Sequence, residues 1–367
     1  MTSPATSVTT SASASGSHVT PDGSPTPAAT ALAAGRRRRS AYRRRTALVL
    51  GALVVAVYCA SLMVGQTFYG PGEVLGVVLG QDVPGASFTV GELRLPRASL
   101  ALLAGAALGM AGVTFQTMLR NALASPDIIG ISSGASAAAV VGIVVLSLGR
   151  PAVSALAIAA ALATATLIYL LAYRDGVLGT RLILIGIGIS AMLDSVVAYV
   201  ILKAATWDLQ IAMRWLTGSV NGATWSAVVP LAVATVVLVP LLLAQSRGLG
   251  LMQLGDDAAS ALGIRVERTR FVAIVAAVGL IAFATAAAGP IAFVAFLSGP
   301  IAARIVGAGG SLMVPSALVG ALLVLTADLA GQYLFGTRYP VGVITGALGA
   351  PYLVYLLIRT NRAGGSL

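Results

Sequence analysis

The chain has 367 residues, 57% of them hydrophobic and only 10% charged, with a mean hydropathy of +0.93. A soluble globular domain carries roughly 25% charged residues, so this composition describes a polytopic membrane protein. The formal charge of +11 invites a nucleic-acid partner, but seven arginines lie in one cluster, Arg36–Arg39 and Arg43–Arg45, directly before an apolar run. There they read as a topology signal instead.

Cys59 is the only cysteine and His18 the only histidine. That excludes an intramolecular disulfide, a thiolate cluster and a histidine-based metal site or catalytic dyad. Any metal handled by the chain must arrive already wrapped in a ligand. Lys203, the only lysine, has no glycine loop around it, and no G-x-x-x-x-G-K-[ST] occurs. The chain therefore does not bind ATP by a P-loop, and an enzyme is disfavoured.

Residues 1–35 are rich in Ser, Thr, Ala and Pro and cannot bury a core, so they are expected to be disordered. With the arginines they make a tail over 1–45. Taken alone, the arginines and TALVLGALVVAVYCASLMV could be a secretory or twin-arginine signal. The spans that follow favour a retained first helix. Apolar segments lie near 46–64, 94–116, 127–147, 151–173, 180–202, 226–245, 267–288, 290–307, 312–331 and 340–358. Each is long enough to cross about 30 Å of hydrocarbon, although 127–147 is Gly/Ser-rich and 290–307 is short. Ten crossings put both termini on the cytoplasmic side, and most of the 23 basic residues then fall inside, as the positive-inside rule requires. Small residues three or four apart, such as Gly105, Gly109 and Gly112, allow close helix approach. Gly289–Pro290 and Gly299–Pro300 are expected to break the helical pattern twice.

A polar island at 246–270, SRGLGLMQLGDDAASALGIRVERTR, separates two apolar segments. Inside it Leu254, Ala258, Ala261 and Leu262 share one helical face, with Asp256, Asp257 and Ser260 elsewhere. Gly255 and Gly263 bracket the segment, and two aspartates suit a helix N-terminus. A short amphipathic helix with nothing of its own to cover it calls for a partner protein; the alternative is a solvated loop. Arg94 and Arg97, in GELRLPRASL, stand at the outer mouth of the second span. They suit carboxylates on a docking protein or, alternatively, snorkel to headgroups. Asp194 and Asp328 are the acidic residues inside spans. Asp328 reads as a span-end residue, hydrogen-bonded to backbone or paired with an arginine, with Arg338 about ten residues away. Asp194 leaves a proton relay open.

These residues together resemble the permeases of the iron–siderophore/cobalamin (type II) ABC importer family, from about residue 46 to 360. The resemblance rests on LRLPRASLALLAGAALGMAGVTFQTMLRNALASPDIIGISSGAS (93–136), LGDDAASALGIRVERTR (254–270) and PVGVITGALGAPYLVYLLIR (340–359). It implies an all-α, ten-helix permease of the bacterial cytoplasmic membrane, working as a homo- or heterodimer. It also implies cytoplasmic ATPase subunits that carry ATP and Mg, and an extracytoplasmic binding protein. Gly255, Asp256, Asp257, Ala258, Leu262 and Gly263 would form the coupling helix. Arg94, Arg97 and, in place of a family arginine replaced here by Gln332, Arg338 would meet the binding protein. Gly179 and Thr180 match the cytoplasmic gate. Pro300-Ile301-Ala302-Ala303-Arg304 is closer to the siderophore branch than to the cobalamin one, so the expected cargo is a ferric siderophore, with cobalamin or heme as alternatives. A proton-coupled carrier using Asp194, or a scaffold or channel without pumping, are the readings from other classes.

Overall fold

The computed structural model describes residues 27–125, 130–173, 179–307 and 309–362. Every regular element among them is helical. Helix α1 spans Pro27–Met63 and α2 spans Pro71–Val78; a wide π-type stretch, Ser87–Arg94, then runs straight into α3, Leu95–Met118. There follow α4 (Ile131–Val144), α5 (Arg150–Ala172), α6 (Gly179–Lys203), α7 (Thr206–Leu216) and α8 (Trp225–Ala244). After two short helices, α9 (Ser246–Met252) and α10 (Asp256–Ala261), come α11 (Val266–Ala288), α12 (Val294–Val306), α13 (Met313–Tyr333) and α14 (Val341–Arg362). Prolines stand in the first turn of α2 and α5, where no intrahelical N–H is lost.

The chain divides into two units between Thr46 and Ala47. In the first, the tail over 1–45, expected to be disordered over 1–35, is helical from Pro27. Its alanines and arginines are strong helix formers, which the low-complexity reading overlooked. Residues 1–26 lie outside the described residues. In the second unit all ten expected spans appear as helices. Seven of the described helices are long and apolar enough to cross a membrane, and Ile131–Val144, Val294–Val306 and Val341–Leu356 are shorter apolar ones. The fold is all-α, and the protein is a multi-pass membrane protein. α2, α7 and α9, which lie between spans, were not foreseen.

α3 is the axis of the unit, packed against α13, α11, α12 and α8. Its glycines make that possible. A Cβ on Gly105 would overlap the Gly320 carbonyl of α13, one on Gly109 the Ser316 carbonyl, and one on Gly112 the Ala295 carbonyl of α12. With no side chain in the seam, the backbones touch and dispersion does the work that water cannot do in lipid.

The second expected break does not occur: Pro300 sits within α12. A helical proline leaves the carbonyl four residues earlier without its donor. Here that carbonyl, Phe296 O, accepts a 3.0 Å hydrogen bond from Gln116 Nε2 of α3. Gly299 leaves the room, since a Cβ there would strike Gln116 Oε1. The first break is real, with Gly289 (φ 72°) ending α11 and Phe293 in a left-handed conformation before α12. At 13 and 14 residues, α12 and α4 reach only about 20 Å, and they are tolerated because protein encloses them.

Candidate functional site

Two polar clusters close the ends of α3. At its start, Arg94 donates from Nη1 to Leu62 O (2.8 Å) and Met63 O (2.9 Å) and from Nη2 to Thr67 O (2.6 Å). Its guanidinium also lies 5.0 Å from the centre of the Tyr69 ring. It thus caps the orphan carbonyls at the end of α1, as a cation at a helix C-terminus does. One turn on, Arg97 grips Asp328 of α13 with both prongs, Nη2 to Oδ1 at 2.8 Å and Nε to Oδ2 at 2.9 Å. Its third nitrogen donates to Asn221 Oδ1 at 3.1 Å, and Gln332 Nε2 donates to Asp328 Oδ2 at 2.8 Å. Asp328 is therefore span-end and arginine-paired, but its partner is Arg97, 231 residues away, and not Arg338. Arg338 is exposed in the loop between α13 and α14.

The opposite end of α3 lies about 35 Å away at 1.5 Å per residue. There the polar island folds into α9 and α10. Gly255 (φ 116°) and Gly263 (φ 83°) hold backbone angles that side chains disfavour, so the bracketing glycines do set the limits of α10. Ala259 alone in α10 is buried, packed into the main core, while Leu254, Ala258, Ala261 and Leu262 face outward. The apolar face expected from the spacing is present and uncovered. Asp257 is exposed. Asp256 is not merely an N-terminal charge: its Oδ1 takes a 2.6 Å bond from Arg120 Nη2, just past α3, and its Oδ2 a 2.6 Å bond from Arg270 Nη2 of α11. Arg120 Nε also donates to Met252 O at the end of α9 (3.0 Å), and Arg270 Nη1 reaches Glu267 at 3.2 Å.

Sequence reasoning named neither Arg120 nor Arg270 as a site residue. Both lay in quoted stretches, MLRNALA and RVERTR, but local spacing points from Asp256 neither across 136 residues to Arg120 nor across 14 to Arg270. Gly179 and Thr180 open α6; their side chains and residues 174–178 ahead of them lie outside what is described. Asp194 is exposed on α6, a helix whose Leu184, Ile187, Met192, Tyr199 and Leu202 are also exposed. No ion-pair partner meets it among the described residues.

The family profile of the FecCD transport family matches residues 53–359. The chain belongs to that family. It is a membrane permease and not itself a catalyst. As a FecCD chain it is 39% identical over 318 residues to the ferric enterobactin transport system permease protein FepG of Escherichia coli K12, covering 86% of this chain and 96% of the relative. It is 40% identical over 311 residues to the achromobactin transport system permease protein CbrC of Dickeya dadantii, covering 84% and 89%. A solved chain assigned to the metal-chelate type of ABC transporter, in an inward-facing conformation, superposes with a TM-score of 0.77 at 27% identity, covering 86% of this FecCD chain and 99% of that one.

Proposed function

We propose that this chain is the membrane-spanning subunit of an ATP-driven importer of ferric siderophores, and that α10 receives the stroke of a separate cytoplasmic ATPase, which holds ATP and Mg. The observation that carries it is the state of α10. Ala258 within it and Leu254 and Leu262 flanking it are exposed, while its first residue is tied to two spans. A helix uncovered on one side and anchored on the other is built to pass on a push. The cargo reading draws on the FepG and CbrC likenesses and on a chain with one histidine and one cysteine, which suits a metal that arrives chelated.

In this reading both termini are cytoplasmic, the Asp256 end faces the ATPase, and the Arg97 end faces the extracytoplasmic binding protein. Arg94 and Arg97 already spend their guanidinium groups inside the chain, so exposed Arg338 makes the leading docking contact and the other two shape the surface beneath it. Gly179 and Thr180 stand at the cytoplasmic gate, and a second permease subunit, identical or different, completes the path. A proton relay through Asp194 has little support, because it is exposed on α6 and no ion-pair partner meets it among the described residues. The test is retention of the ATPase. Ala258→Arg and Leu262→Asp, purified in detergent with co-expressed subunits, should lose the ATPase while keeping their elution volume. Full retention in both would refute the assignment of α10.

A further inference from the structure

Asp256 and its two arginines do something that the exposed face of α10 does not explain. Each carboxylate oxygen serves a different span: Oδ1 takes Arg120 at the end of α3, and Oδ2 takes Arg270 on α11. The same Arg120 holds Met252 O, so the end of α9, the start of α10 and the end of α3 meet on one guanidinium. Arg120 itself has φ 52°, a left-handed backbone that an arginine adopts at a cost. Two guanidiniums, one on each side, converge on this one carboxylate.

We propose that Asp256 is the joint through which movement of α10 reaches the transmembrane helices, with Arg120 delivering it to α3 and Arg270 to α11. This rests on the reading of α10 as the ATPase-driven element. Arg120 and Asp256 are half-exposed, with side chains 46% and 42% accessible, so water screens the pair and it adds little to stability. What it supplies is geometry. Short charge-assisted bonds fix direction, and α3 is packed along its length against four other helices. A displacement at Arg120 therefore arrives at the Arg97–Asp328 end as movement of a packed rod. Asparagine in place of Asp256 keeps one acceptor and turns an N–H₂ toward the other guanidinium, so it can hold one span only. Glutamate keeps both acceptors.

The experiment uses the assembled transporter with its ATPase and binding protein in proteoliposomes, with Cys59→Ala as background. Spin labels go on Trp207→Cys and Phe335→Cys, exposed residues on the Arg97 side of the molecule. The probe is MgATP with orthovanadate. The unsubstituted joint should show a shift in the label distance. Asp256→Asn should keep the ATPase bound, yet lose roughly tenfold of the shifted population. Asp256→Glu should recover it. Arg120→Gln, which cuts only the α3 branch, should reproduce the loss and decides the matter if Asp256→Asn does not fold. A full shift in Arg120→Gln, no shift with the joint intact, or failure of Asp256→Glu to recover would each overturn the proposal. Loss of the ATPase from Asp256→Asn would also overturn it, by placing Asp256 in the docking contact. Retention of the ATPase by Ala258→Arg would instead sink the prior reading of α10.

Discussion

The Arg97–Asp328 pair offers a worked prediction, because its two side chains are only 17% and 6% accessible. Replacing Arg97 by Met leaves a buried carboxylate whose one remaining side-chain donor among the described residues is Gln332. Stranding one partner of a buried pair costs about 3–5 kcal/mol, and the glutamine hydrogen bond offsets about 1 kcal/mol of it. Arg97→Met should therefore destabilise by about 2–4 kcal/mol. Arg97→Met with Asp328→Leu removes both charges and fills similar volume, and should lie within about 1 kcal/mol of the parent. A double-mutant cycle from denaturant titrations of the purified protein, followed by tryptophan fluorescence, reads the difference. If Arg97→Met alone costs less than about 1 kcal/mol, as an exposed pair would, the pair is not enclosed and the reasoning fails. A double variant as unstable as the single one would equally show that the two charges are not coupled.

The docking assignment predicts that Arg338→Glu weakens association with the binding protein by roughly tenfold, more at low salt than at high, measured by surface plasmon resonance. Arg94→Gln should instead lower the thermal midpoint, because Leu62 O and Thr67 O lose the guanidinium and Met63 O keeps only Tyr69 N–H; a normal midpoint with weakened docking would reverse the roles of the two arginines. Gly109→Val should cost about 1–3 kcal/mol or block assembly, since its Cβ has no space beside the Ser316 carbonyl, and wild-type stability would refute the seam. Asp194→Asn should leave ATP-driven uptake unchanged in vesicles, and uptake that falls with the substitution and with an uncoupler would restore a proton role.

Hydropathy located every span, because a helix in lipid must satisfy its own backbone and can advertise itself only by apolar length. It also bracketed α10 correctly, since Gly255 and Gly263 are local devices whose effect is local. What it could not show were pairings between distant elements. Arg97 looked like a free docking fork from its neighbours alone, and Asp328 was matched to the nearest arginine in sequence. The packing of α3 on α13 brings these two together instead. The tail was misjudged for the opposite reason. Composition argued against a core, but a helix of alanine and arginine needs no core to be helical.

Pro300 shows why a local rule fails inside such a bundle. Read along the chain, Gly299–Pro300 is a stop signal, and in water it would be one. Inside the bundle the cost of the missing N–H falls on a single carbonyl, and Gln116 of the adjacent α3 supplies the donor. The glycine that would weaken an isolated helix is what admits the glutamine. Gln116, Gly299 and Pro300 therefore act as one unit across two helices. Gln116→Leu should kink or shorten α12, since Phe296 O would be left buried without its donor, at a cost of about 1–3 kcal/mol. Pairing that change with Pro300→Ala, which restores the intrahelical bond, should recover most of the loss. Failure of the second substitution to rescue the first would mean that the glutamine serves something other than the broken ladder.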